Sequence, residues 1–249
     1  MRELLFIIGL FVLFSCQRHT NGKIGGNSTT EETKVVAEII QSTCPDEKHP
    51  HMIDLGLPSG TKWSCCNTDA LSPEDSGGYY AWGETKEKDI YDDTSYLYSE
   101  GEDPEGNRWY DGDIQWTNIG TYICGTKYDV ARVKWGGKWR MPTSGQFQEL
   151  IDNSTYKWVK LNDIEGGLFV SKSNGNSIFL PAAGCRLGSD LPDNKGADGP
   201  WGGYWSGTRH SMKEYFAYHL YIYDGKARVD IDNMWGLVMG FPIRPVVAP

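Results

Sequence analysis

Tyr215-Phe-Ala-Tyr-His-Leu-Tyr-Ile-Tyr-Asp-Gly-Lys-Ala-Arg-Val-Asp-Ile231 is the stretch that decides the fold class. Asp224-Gly225 readily adopts the turn conformations that reverse a chain, and residues of high strand preference flank it on both sides. The spacing predicts a hairpin of Tyr215 to Tyr223 with Lys226 to Ile231. Side chains alternate between faces along a strand. Phe216, Tyr218, Leu220 and Ile222 therefore share one face, and Tyr215, Ala217, His219, Tyr221 and Tyr223 the other. Both sets are apolar or aromatic, so the strand is expected to be central and covered on both sides.

Working outward, Asn174-Gly175 predicts a second hairpin between Leu168 to Lys172 and Ser177 to Leu180. Met239 to Val247 reads as a final strand, and Pro242 and Pro245 mark it as an edge. Upstream, Met52 to Leu55, Thr61 to Cys66 and Gly78 to Trp82 read as strands, with a turn at Leu57-Pro58-Ser59-Gly60. Residues 84–120 are acidic and turn-rich, and are expected to form a surface excursion. Thr143-x-x-Gln146 is a capping box for a helix whose Phe147, Leu150 and Ile151 share a face. Asp129 to Lys134 predicts a shorter helix, and Trp135-Gly-Gly-Lys-Trp139 a sharp turn after it. The fold class that results is α+β: loop-rich antiparallel hairpins with one or two short helices.

The N-terminal region has a different character. Leu4 to Phe14 is an apolar run following Arg2, about half of what a membrane span needs. It reads as a signal segment, and Leu13-Phe14-Ser15-Cys16 resembles a bacterial lipobox. Cleavage before Cys16 would leave a lipidated cysteine that anchors the protein to a membrane without spanning it. An ordinary secretory signal is the alternative. The expected organisation is a signal peptide at 1–15, a polar tether at 16–50 and one domain at 51–249. Within the tether, Thr29 to Glu32 opens a short amphipathic helix over 34–41. The expected location is the cell envelope, at the outer membrane, on either its periplasmic or its surface face.

A formal charge of −9 without a basic cluster excludes nucleic acid as a partner, and anionic headgroups as the docking surface. Setting Cys16 aside, the cysteines are Cys44, Cys65, Cys66, Cys124 and Cys185. Five is an odd number, so at least one thiol stays unbridged. No Cys-x-x-Cys pair occurs and the histidines are dispersed, so the sequence predicts no structural zinc site and no cofactor.

An ordered set of motifs from residue 51 onward resembles the Fibrobacter succinogenes major paralogous domain, common in Bacteroidetes lipoproteins. The matching stretches are Asp54-Leu-Gly-Leu-Pro-Ser-Gly-Thr-Lys-Trp63, Cys66-Asn67, Tyr80-Ala-Trp-Gly-Glu-Thr85, Trp135-Gly-Gly-Lys-Trp-Arg-Met-Pro-Thr143, Asn174-Gly-Asn-Ser-Ile-Phe-Leu-Pro-Ala-Ala-Gly184, Gly203-Tyr-Trp-Ser206 and Arg244-Pro-Val246. The arrangement is also distantly similar to the C-type-lectin-like fold of formylglycine-generating enzymes, through Arg140-Met-Pro-Thr143 and the late strand from Gly240 to Arg244. That resemblance implies a lectin-like domain. Those enzymes hold copper with a late pair of thiolates, whereas only Cys185 lies past the midpoint here, so copper oxidase activity is not expected. Cys65 and Cys185 depart from the family pattern together. This implies either a bridge between them or two buried thiols.

Lectin-like domains often bind calcium, and Asp103, Glu105, Asp111 and Asp113 are the candidate oxygen ligands; the competing reading is a solvated acidic loop. For sugar, Trp109, Tyr110, Trp116, Trp201 and Tyr204 lie in stretches read as loops with polar neighbours, and aromatic faces stack on apolar sugar faces. The expected function is non-catalytic binding of a glycan or protein at the cell envelope. The alternative is a structural, adhesin or assembly role, and the third is an enzyme of unrecognised type. Tyr204-Trp-Ser206 supplies no nucleophile elbow.

Overall fold

The computed structural model describes residues 48–100, 115–190, 192–196, 199–213, 215–231 and 236–249, with Glu38, Cys44 and Asp46 as isolated positions ahead of them. Its strands are β1 (Met52–Asp54), β2 (Lys62–Ser64), β3 (Ser99–Glu100), β4 (Gln115–Trp116), β5 (Trp139–Arg140), β6 (Ser154–Leu161), β7 (Ile164–Ser171), β8 (Ser177–Pro181), β9 (Lys195–Gly196), β10 (Gly199–Arg209), β11 (Ala217–Tyr223), β12 (Lys226–Ile231) and β13 (Val246–Val247). Two α-helices, α1 (Val130–Trp135) and α2 (Ser144–Asn153), and a 3-10 turn at Gly236–Val238 complete the described elements. Among the described residues the strands form four sheets, β1-β2-β13-β5, β12-β11-β10-β9, β6-β7-β8 and β3-β4, with antiparallel neighbours throughout.

The hairpin at Asp224-Gly225 forms as its sequence predicts. Tyr223 pairs with Lys226, and Gly225 takes a φ of 81°. β11 lies inside its sheet, and the two faces of that sheet meet two different cores. Tyr204, Leu220 and Ile222 pack with Trp63, Phe147, Leu150 and Val246. Trp205 and Ala217 pack with Trp82, Tyr91, Tyr96 and Phe241. Neighbouring residues Tyr204 and Trp205 thus enter opposite cores, as strand alternation requires. A third, smaller cluster of Val159, Leu161, Leu168 and Phe179 belongs to the β6-β7-β8 sheet.

Both helices predicted within the domain are present. Asp129 caps α1 by accepting from Arg132 N, and also accepts from the Gly125 and Met141 amides at 2.7 and 2.8 Å. Thr143 caps α2 within a full capping box: its Oγ1 accepts from Gln146 N, and the Gln146 side chain accepts from Thr143 N. Thr143→Ala removes one half of that box. It is expected to lower stability by about 1 kcal/mol, read as a lowered urea midpoint at unchanged slope. Phe147 and Leu150 are the buried residues of α2.

Several expectations change. Gly78 to Trp82 is not a strand; Tyr80 makes an isolated bridge to Phe241. The late strand shrinks to β13, which lies between β2 and β5 and is not an edge. Proline lacks a donor but keeps its carbonyl. Pro245 O accepts from Ser64 N and Pro242 O from Trp205 N, so both residues sit inside the hydrogen-bonded framework. β6 and β10, the latter the longest strand described, were not anticipated from sequence. The first part of the expected surface excursion, residues 84–99, is instead clamped to the body. Tyr91 Oη donates to Tyr79 O and Tyr96 Oη to Trp82 O. Lys88 Nζ bonds buried Glu84 at 2.9 Å and Ser95 O at 3.1 Å. Residues 101–114, and the expected tether helix apart from helical Glu38, lie outside the described residues.

Arg244 ties the sheets together from inside. Its side chain is fully buried. Nε donates to Asn67 Oδ1 at 2.8 Å, Nη1 to Cys65 O at 2.6 Å and Ser64 O at 3.2 Å, and Nη2 to Phe179 O at 2.7 Å. The guanidinium fork thus links the end of β2 to β8.

Candidate functional site

Two places in the domain gather chemistry. The first is one face of the β12-β11-β10-β9 sheet. Trp201, Gly203 and Trp205 of β10 share one face with Tyr223, Tyr221 and His219 of β11, because these are directly opposed pairs. Lys226, Arg228 and Asp230 of β12 continue the same face. Phe241 covers its inner half, with its ring centroid 4.7 Å from that of Trp205 and 5.1 Å from that of His219. Gly203 makes this approach feasible, since a Cβ there would fall 2.4 Å from the Phe241 ring.

Beyond Phe241 an aromatic row continues the face. Trp201 stacks on Tyr221 with centroids 5.2 Å apart and planes at 23°. Tyr223 follows at 5.5 Å from Tyr221. The Arg228 guanidinium lies over Tyr221 at 4.8 Å and over Tyr223 at 5.9 Å. Its Nε donates to Asp230 Oδ2 at 2.6 Å, which fixes the fork above the rings. Trp201, Tyr221 and Tyr223 are half-buried, and Lys226 and Arg228 are exposed. Such a surface offers apolar ring area, phenol hydroxyls and a held guanidinium side by side.

The sequence-predicted sugar residues fare differently. Trp201 belongs to this row, but on a strand and not in a loop. Tyr204 is corrected outright: it is fully buried on the opposite face, and its hydroxyl donates to Pro181 O at 2.6 Å. Trp116 pairs with Ser99 through β4. Trp109, Tyr110, Cys16 and the calcium candidates Asp103, Glu105, Asp111 and Asp113 lie outside the described residues. Sequence reasoning missed Tyr221, Tyr223 and Arg228 as surface because it read the whole strand as covered. The signal was the spacing of two tyrosines on one strand face opposite a basic residue across a two-residue turn.

No family model, curated protein or solved structure matches this chain.

The second place lies where the segment before β1 meets the end of β2. Cys44, His49, His51 and Cys65 each offer one ligand atom, all within 4.8 Å of one another. Cys44 Sγ lies 3.5 Å from His49 Nδ1 and 3.6 Å from His51 Nδ1. Cys65 Sγ lies 3.3 and 3.5 Å from the same two nitrogens. His51 N donates to Cys65 Sγ at 3.2 Å, and Cys65 N donates to His51 O at 3.1 Å. That pairing extends the β1–β2 ladder, in which Met52 opposes Ser64. Asp46 Oδ1 stands 3.1 Å from His51 Nε2, the far ring nitrogen. Cys65 is buried and the other three are half-buried.

The thiols differ in acidity. Cys65 is held well below the ordinary thiol range, first by the Cys66 thiol that donates to its sulfur and then by His49 and His51, and these outweigh its burial. Cys44 is pushed up by burial and by the charge of Cys65. The strand expected over Thr61 to Cys66 is shorter: β2 ends at Ser64, so Cys65 and Cys66 lie beyond it. No disulfide joins Cys65 to Cys185. Cys65 packs in the core of Trp63 and Phe147, whereas Cys185 packs against that of Trp82 and Phe241 and pairs by its backbone with Asp193. The expectation of no metal centre rested on linear spacing. The fold brings these four positions together through the β1–β2 ladder, which spacing alone does not display.

Proposed function

We propose that this chain is a lipid-anchored cell-envelope protein whose domain, a member of the Fibrobacter succinogenes major paralogous group with a lectin-like fold, binds glycan without transforming it. The observation that carries the reading is the row Trp201–Tyr221–Tyr223 with Arg228 fixed over it. Sugar rings present apolar C–H faces edged by hydroxyls. An aromatic row edged by a guanidinium and a carboxylate matches both features. The row sits on paired strands, so little ordering of the protein accompanies binding. Lys226 and Arg228 next to the rings favour glycans that carry carboxylates or sulfates over neutral ones. The domain as a whole is acidic, so this preference belongs to the row and not to the overall field.

A glycan array probed with the full chain tests the proposal. Reproducible binding to a restricted set of acidic glycans is expected. Tyr223→Ala and Arg228→Ala are expected to weaken binding at least about tenfold, because each removes a contact in the row while leaving both cores intact. Binding that is absent, or that survives both substitutions unchanged, sinks the assignment.

A further inference from the structure

We propose that Cys44, His49, His51 and Cys65 bind one Zn2+ in a closed tetrahedral site that fastens the segment ahead of β1 to the end of β2. Zinc–sulfur bonds of about 2.3 Å and zinc–nitrogen bonds of about 2.0–2.1 Å at tetrahedral angles put neighbouring sulfur and nitrogen ligands about 3.6 Å apart. The four sulfur-to-nitrogen separations are 3.3, 3.5, 3.5 and 3.6 Å. Four of the six edges of the ligand tetrahedron are therefore already close to length, and the other two lie within 4.8 Å.

The donor set selects the metal. Two thiolates and two imidazoles suit zinc and are poor ligands for calcium or magnesium, which take oxygen. Both histidines present Nδ1 to the sulfurs. This leaves His51 Nε2 to meet Asp46, the carboxylate partner that commonly orients a metal-bound imidazole. Four protein ligands complete the tetrahedron and leave no position for water, so the ion is structural and not catalytic. Charge balances as well. Two thiolates offset the charge of Zn2+, any thiol still protonated gives its proton to solvent on binding, and the site closes neutral. Neutrality matters here, because the buried Arg244 guanidinium bonds the Cys65 carbonyl and has no carboxylate within ion-pair distance among the described residues.

The test uses the full chain purified under reductant. Elemental mass spectrometry is expected to find one zinc per chain. Exchange with Co2+ is expected to produce the visible bands of tetrahedral cobalt together with thiolate-to-cobalt charge transfer. Cys44→Ala is expected to abolish both, and Asp46→Ala to weaken zinc about 10- to 100-fold in competition with a chromophoric chelator. Added zinc is expected to raise the melting temperature of the unaltered chain and not that of Cys44→Ala. Circular dichroism shows whether that variant keeps its fold; if it does not, the cobalt spectrum of the unaltered chain decides alone. Absence of stoichiometric zinc, equal zinc retention by Cys44→Ala, copper in place of zinc, or a Cys44–Cys65 disulfide in the metal-supplied chain would each overturn the site.

Discussion

Arg244→Ala is expected to destabilise the domain by about 3–5 kcal/mol, the range seen when a buried charged hydrogen-bonding group is deleted. The substitution strands Asn67 Oδ1 and the carbonyls of Ser64, Cys65 and Phe179, all on buried residues. Each orphaned acceptor costs about 1–3 kcal/mol, and the emptied volume adds to that. Arg244→Lys is expected to recover little, because a single ammonium cannot reproduce a planar fork that reaches four acceptors. Urea unfolding followed by tryptophan fluorescence measures both variants. A loss below about 1 kcal/mol for Arg244→Ala would show that the fork is incidental to the packing.

Trp205→Ala is the second large loss, expected at about 3–5 kcal/mol. The side chain is fully buried against Phe241, and its Nε1 donates to Tyr80 O and Met239 O. Truncation opens a cavity in one core and removes a donor from two carbonyls, of which Tyr80 O keeps the Phe241 amide and Met239 O is left without that bond. Trp63 in the other core is the informative contrast. It is equally buried, yet its Nε1 has no hydrogen-bond partner. Trp63→Phe is therefore expected to cost less than Trp205→Phe, since the first removes an unsatisfied donor and the second breaks two bonds. Paired denaturation curves for the two phenylalanine variants check the ordering.

Elements with local signals were readable in the sequence. The Asp224-Gly225 hairpin, the Thr143-x-x-Gln146 capping box and the Asp129 cap each depend on neighbours within a few residues, and each is present. β10 was not readable, because Gly199, Gly202, Gly203 and Gly207 depress strand preference. Two of these glycines answer to distant partners: Phe241 over Gly203, and Cys124, whose Sγ would lie 2.5 Å from a Cβ on Gly207. The interior place of β13 was hidden for a similar reason. Its strand neighbours are Lys62 to Trp63 and Trp139 to Arg140, both far along the chain. The same division holds for chemistry. Trp201 and Tyr204 both drew notice as aromatic residues among polar ones, and only the face each takes separates the surface residue from the buried one. The thiol–imidazole cluster needed a strand ladder to assemble it, and that is a property of the fold.

The place of β13 also says something about how the molecule comes to be. Val246 opposes both Trp63 and Arg140, so one sheet stays incomplete until residue 247 has been synthesised. An emerging N-terminal portion therefore lacks the partner that would lock β2 and β5, and loop closure over so long a span is slow. Such wiring defers the closing of that sheet to the moment when the last strand is available to dock.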